Sequence, residues 1–289
     1  MSPWLTHESR YDAMLDSFGA VVADAVVRAE PRAVLDVGCG TGAFTLELGR
    51  RIGAAGHVVG IDLDADLIDR ARERAWDASA VNVVFVVGDA ASHPLGPGRF
   101  DAVTSRFGTM FFANPVAAFR SLATALAPGG LLTFVCWREP SANAWFSLPM
   151  TVASRLLPPL RPSTATSLTS PTGPFALSDA GHVQRTLREA GFPDVSLTGI
   201  DRLVDVGRDA DDAVDFDAAT VGASQPDDVA TRASAELRHA LEPFATPDGV
   251  LLPASAWLVT ARRDARTISR QFNVVPRHQT SVKRRARAS

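Results

Sequence analysis

Asp36, Asp62 and Asp89 each stand at or near the end of a short apolar run, and glycines follow the first at 38, 40 and 42. Ala33–Val37 is apolar and β-branched apart from Asp36, and Phe44, Leu46, Leu48 and Ile52 carry on as a helix. A glycine-rich turn from strand to helix lets a ligand approach the backbone, because no Cβ stands in the way. It also offers unpaired N–H groups at the positive end of a helix. That chemistry suits a nucleotide-like ligand. An acid buried within the first strand can meet a ligand ammonium. Asp62 closes Val58–Asp62 and lies 22 residues after Gly40, the reach of a carboxylate that accepts both ribose hydroxyls. Asp89 follows Val83–Val87 and Gly88, placed to accept from an adenine amino group, with Ala90 leaving room for the ring.

Each residue also has a plainer reading. The glycines could serve only the turn, Asp62 could be a helix cap beside Asp64 and Asp66, and Asp89 could be a turn residue. Gly38–Ala43 also satisfies the dinucleotide pattern G-x-G-x-x-A, and Asp62 suits NAD and S-adenosylmethionine equally. The order of the pieces decides between them. Arg99–Ser105 reads as a fourth strand, and Leu126–Gly130 as a turn into a fifth, Leu131–Trp137.

That ordered set, Val34 to Trp137, resembles the class I S-adenosylmethionine-dependent methyltransferases, in particular the small-molecule branch of the ubiquinone and menaquinone biosynthesis enzymes. The resemblance implies an α/β fold: a doubly wound, seven-stranded Rossmann-like methyltransferase sheet with an N-terminal helical arm and inserted cap segments. It also implies S-adenosylmethionine as cofactor, held by Asp36, Gly38, Gly40, Thr41, Gly42, Asp62, Leu63, Asp89, Ala90 and Ser105. A substrate pocket is then expected from Arg106, Phe107, Met110, Phe111 and Trp145, with Phe112 and Phe146 nearby. His7 and Tyr11 on the arm are candidate bases. Arg106 must find a partner: a substrate carboxylate or phenolate, the cofactor carboxylate, or an acid such as Asp12. The expected reaction moves a methyl group to O, N or C of a small, largely apolar or aromatic metabolite. A cofactor-binding protein of this fold without methyl transfer is the first rival, and an NAD-linked oxidoreductase the second.

The elements that must position these residues follow from periodicity. Met14, Leu15, Phe18, Val21, Val22, Ala25 and Val26 recur at helical spacing, giving an arm over residues 1–30. Strands and helices then alternate, the mark of a parallel doubly wound sheet whose strand C-termini line one edge. The main domain spans 31–263, with cap insertions at about 140–178 and 207–248. Leu156–Pro174 is rich in proline, serine and threonine and reads as loop. A helix capped by Ser178 and stopped by Gly191 precedes strands at Val195–Val206 and Gly249–Arg262.

Composition excludes other classes. Of 29 Lys and Arg, nine follow Ala261, beside one acid, Asp264. The body therefore carries 20 basic against 31 acidic residues, which disfavours a duplex nucleic-acid substrate. The segment after Ser105 also lacks the Asn-Pro-Pro-Tyr pattern of nucleobase amino-methylating enzymes. No apolar run reaches the roughly 18 residues of a membrane span. Two separate cysteines and no secretory signal suggest a reducing cytoplasm. The histidines are scattered without metal-ligand spacing, so no metal is expected. The basic tail, 264–289, is expected to be solvated and disordered.

Overall fold

The structure, a computed structural model, describes residues 2–156, 172–221 and 227–265. The chain opens with α1 (Pro3–Thr6) and α2 (Glu8–Arg28), then enters β1 (Ala33–Val37), α3 (Ala43–Ile52), β2 (His57–Asp62), α4 (Ala65–Asp77) and β3 (Val83–Val87). It continues through β4 (Phe100–Arg106), α5 (Pro115–Ala125), β5 (Leu126–Trp137), α6 (Ala144–Leu156), α7 (Ala180–Glu189) and β6 (Val195–Gly207). It closes with α8 (Ala210–Val221), α9 (Asp227–Leu241), β7 (Ala245–Thr246) and β8 (Gly249–Arg262). The sheet runs β3-β2-β1-β4-β5-β8-β6, seven strands on one path as expected. A two-residue eighth strand, β7, pairs with the start of β8. The first five strands on the path are parallel, and β8 runs antiparallel to both β5 and β6.

Why these runs become central strands is plain from burial. All five residues of β1 are buried, as expected for a parallel strand covered on both faces. Phe134 and Trp137 lie three apart in β5 and so point to opposite faces. Phe119 of α5 stacks on Phe134 at 5.4 Å, whereas Phe18 of α2 meets Trp137 edge-on at 5.3 Å. Helices therefore cover both faces. In α2, Met14, Leu15, Phe18, Val22 and Val26 are buried, so the arm is a core element along most of its length.

Two local expectations need correction. Leu126–Gly130 is not a turn ahead of the strand. Leu126 already pairs with Phe100, and the register then jumps to Leu131 opposite Ala102, so four residues bulge out within β5. Gly129 N donates to the Arg263 carbonyl and Arg263 N to the Gly130 carbonyl, which ties the bulge to the end of β8. The cap of α7 is Asp179, which accepts from His182 N; Ser178 instead gives its carbonyl to the Trp257 indole at 2.8 Å. Gly191, at φ 103°, does end that helix. The proline-rich stretch over 157–171 and the tail after 265 lie outside the described residues. Among the described residues no helix is long and apolar enough to cross a membrane.

Gly42 is required by packing. Its φ is 83°, and a Cβ there would stand 2.6 Å from the Phe85 ring and 2.9 Å from Ala71. Gly40 also has positive φ, 54°, but a Cβ would meet nothing within 4 Å. Alanine at either site carries the left-handed cost of roughly 1–2 kcal/mol. Gly42→Ala adds overpacking of about 1–3 kcal/mol. Urea denaturation should show Gly42→Ala clearly less stable than Gly40→Ala; equal midpoints would show that Phe85 yields without cost.

Candidate functional site

One cavity of about 600 Å³ opens along the C-terminal edge of β1, β2, β3 and β4. Its walls come from the glycine turn, the ends of those strands, the segment after β4 and the inner face of the arm. Of the ten residues read as cofactor-binding, Asp36, Gly38, Gly40, Thr41, Asp62, Leu63, Asp89 and Ala90 line it. Gly42 and Ser105 do not. Gly42 faces Phe85 and Ala71 instead. Ser105 is buried below the floor, donating to the Val37 carbonyl at 2.7 Å and accepting from Gly108 N at 3.0 Å.

That serine clasps two turns together. A Cβ on Gly38, whose φ is 67°, would come within 2.7 Å of Gly108 Cα, so backbone touches backbone at the cavity floor. A sequence reading that reserves Gly38 for a ligand misses this partner. Phe107, between the clasp and Arg106, has φ 62°, a strained conformation for a bulky residue. Its ring stacks on Trp137 at 3.9 Å and also lines the cavity.

The acids differ in state. Asp36 is wholly buried; Thr45 donates to its Oδ2 at 2.6 Å, and Oδ1 has no partner. Burial raises its pKa to about 7 against partial relief from the Thr45 hydrogen bond and Arg106, with Asp62 adding a further rise. Asp62 instead accepts from Gly40 N at 2.9 Å and Asp64 N at 3.0 Å, fixing the turn while keeping acceptor capacity. Asp89 accepts from Ala91 N at 2.9 Å and the Ser92 hydroxyl at 3.2 Å. The Cys39 thiol also lines the cavity, but burial pushes its pKa well up and it stays neutral.

The substrate-side expectations divide. Arg106, Phe107 and Phe111 line the cavity, as do Phe112, Tyr11 and Trp4. Met110 and Trp145 do not. Met110 is buried, its sulfur accepting from Trp137 N at 3.5 Å, and half-buried Trp145 packs on Trp137 and Phe175 against the core. Phe146 joins Phe175 at 4.7 Å and is likewise away from the cavity. His7 lies edge-on to Phe216 at 5.5 Å, outside the lining, which removes the geometric ground for it as a base. Sequence reasoning missed Glu8, Leu67 and Asn114 on the wall. Glu8 could have been found from its place one helical turn before Asp12 on the arm.

An ionic network fastens the arm to this edge. Asp12 accepts from Arg74 at 2.8 Å and from Arg106 at 3.2 Å. Glu8 pairs with Arg70 at 2.8 Å and Arg74 at 3.1 Å, and Arg74 also donates to Thr41 at 3.1 Å. No group of three or more His, Cys, Asp or Glu suited to a metal occurs among the described residues.

With this geometry in view, residues 34–130 match the family described as Methyltransferase domain. The chain resembles that domain over this stretch, about a third of its length. It is similar to a demethylmenaquinone methyltransferase of Listeria monocytogenes, 32% identical over 112 residues, 39% of this chain and 47% of that protein. It is similar also to a ubiquinone/menaquinone biosynthesis C-methyltransferase of Pseudomonas aeruginosa, 36% identical over 111 residues, 38% and 43% of the two chains. The chain thus spans about half the length of the curated relatives it matches. The YcgJ protein of Bacillus subtilis shares the fold, with a TM-score of 0.56 at 16% identity over 85% of this chain and 99% of that one.

The state of Asp36 makes stability depend on pH. Its folded pKa, about 7, lies above the unfolded value of 3.8, so the folded chain holds a proton that the unfolded chain has lost. The ligand-free protein should therefore lose stability as pH rises from about 4 to 7, by up to about 4 kcal/mol. Asp36→Asn should flatten that part of the profile. Parallel pH-dependent denaturation curves for the two proteins would refute the assignment.

Proposed function

We propose that this chain is an S-adenosylmethionine-dependent methyltransferase acting on a small, largely apolar or aromatic metabolite at O, N or C. One observation carries the reading: a wholly buried carboxylate with an unpartnered oxygen, Asp36, shares a cavity with the glycine turn, Asp62 and Asp89. An orphaned buried acid is costly unless a ligand group meets it. The donor set fits the cofactor, with Asp36 for the ammonium, Asp62 for the ribose hydroxyls, Asp89 for the adenine amino group, and Leu63 and Ala90 beside the ring. In this reading the arm, 1–30, and the caps at about 140–178 and 207–248 frame a cofactor domain of 31–263.

When bound, the cofactor supplies an activated methyl for in-line displacement. The chain then has to hold the acceptor on that line and exclude water, a contribution of roughly 7–11 kcal/mol. Phe107, Phe111 and Phe112, together with Trp4 and Tyr11, give the cavity an apolar and aromatic lining suited to a flat ring. The quinone-enzyme relatives favour a ring of quinol type as acceptor, where the nucleophile is an acidic carbon or a hydroxyl. Tyr11 is the candidate base that reaches the cavity; such a group contributes about 10²–10⁴-fold. A neutral amine acceptor needs none.

Calorimetric titration with S-adenosylmethionine, S-adenosylhomocysteine and NAD tests this directly. The two sulfur compounds should bind and NAD should not; heat with NAD and silence with the others overturns the reading. Asp62→Ala should weaken S-adenosylmethionine by about 1–3 kcal/mol, the loss of hydrogen bonds to a charged acceptor. An unchanged dissociation constant would remove Asp62 from the ribose site.

A further inference from the structure

A buried acid and an enclosed cation both line the cavity. Asp36 brings the unpartnered carboxylate oxygen, and Arg106 brings a guanidinium whose side chain is only 13% exposed. Both line the cavity wall. The Arg106 guanidinium lies 5.8 Å from the Phe44 ring, and its Cδ would be 3.1 Å from a Cβ on Gly19, so α2 and α3 confine it. A cation this enclosed must be paired. Its partner here is Asp12, through one N–H at 3.2 Å. That pairing is thin in two respects. Asp12 is shared with Arg74, whose contact at 2.8 Å is the shorter. The Arg106 fork carries five donors, and a two-pronged carboxylate would engage it better than one long bond.

A buried acid and a buried guanidinium facing one space match a zwitterion that carries its ammonium and carboxylate on the same carbon. We propose that Arg106 anchors the α-carboxylate of the cofactor's amino-acid end, with Asp12 holding the guanidinium in position while the site is empty. This rests on the cofactor reading above. It assigns Arg106 to the cofactor and takes it from the substrate. The aromatic wall then recognises the acceptor by shape and apolar contact, and among the described residues of the cavity wall no second cation is set aside for an acidic group on the acceptor.

The test compares S-adenosylhomocysteine with its decarboxylated analogue by calorimetric titration, with no acceptor present. Wild-type protein should prefer the carboxylate-bearing ligand by ten-fold or more. Arg106→Gln should weaken S-adenosylhomocysteine about 10- to 100-fold and leave the decarboxylated analogue unchanged or tighter, because a repelling cation is gone. Arg106→Lys, which keeps the charge and loses the fork, should fall between. If Arg106→Gln fails to fold, the lysine variant carries the comparison, and its preference must still drop. Equal weakening of both ligands would make Arg106 a structural residue and overturn the assignment while leaving the cofactor reading intact. Failure of wild-type protein to bind either ligand would overturn both.

Discussion

The site depends on the contact between two backbones, the turn after β1 and the turn after β4. Gly38 and Gly108 approach so closely that a Cβ on either would fall within 2.8 Å of backbone atoms of the other turn. Ser105 bridges them, with one hydrogen bond to each side. This single constraint sets the cavity floor, forces φ 62° on Phe107, and aims Arg106 toward the arm. Strain at Phe107 persists because the stack on Trp137, the Ser105 clasp and the β4–β5 register all hold it. The glycines are therefore of two kinds. Gly38, Gly42 and Gly108 admit other parts of the protein, and Gly40 faces open space.

The electrostatics are arranged around one costly group. Asp36 lies level with Thr104 on β4, and Thr104 with Thr133 on β5; all three are buried and each has a side-chain oxygen without a partner. A chain selected for stability alone would place apolar residues in this row. Beyond the row, Arg70, Arg74 and Arg106 meet Glu8 and Asp12 at the mouth. The exposed pairs in that network contribute little individually. The enclosed pair, Arg106 with Asp12, weighs more, because breaking it strands a cation.

Much of this was legible in the sequence because the strands are continuous apolar runs ended by acids and glycines. Val34–Val37 is fully buried and has no alternation to misread. Val58–Asp62 and Val83–Val87 are apolar along nearly their whole length, even though the edge strand exposes Val84 and Val87. All three therefore stood out at close to their true ends. The cavity acids followed from their positions at those ends. What failed lay in the segments after β4 and β5. Met110 and Trp145 are large and apolar near the site in sequence, and nothing in their types tells wall from core. Phe107's left-handed backbone turns the chain before it reaches them. As a result Phe111 and Phe112 face the cavity while Met110 goes under Trp137. Ser105 was misjudged for a related reason: a hydroxyl at a strand end can serve a ligand or its own backbone, and only the approach of Gly108 decides.

The arm shows how one helix can be both core and wall. From Met14 to Val26 its inner face is buried against the sheet, and burial of that kind stabilises by about 1.5–3 kcal/mol per large side chain. Its first turns hold on differently, through Glu8 and Asp12 to arginines and through Trp4, Tyr11 and His7 to one another and to Phe216 of α8. Arg10 pairs with Asp212 of the same helix. The strong apolar anchorage thus begins at Met14, after Trp4, Glu8, Tyr11 and Asp12 on the cavity wall, and Leu15 serves both core and wall. Up to Asp12 the arm is held by ion pairs and by the ring contacts of Trp4, His7 and Tyr11, and from Met14 onward by the sheet. Asp12 stands at that boundary and pairs with both Arg74 and Arg106, so one side chain joins the arm to α4 and to the end of β4.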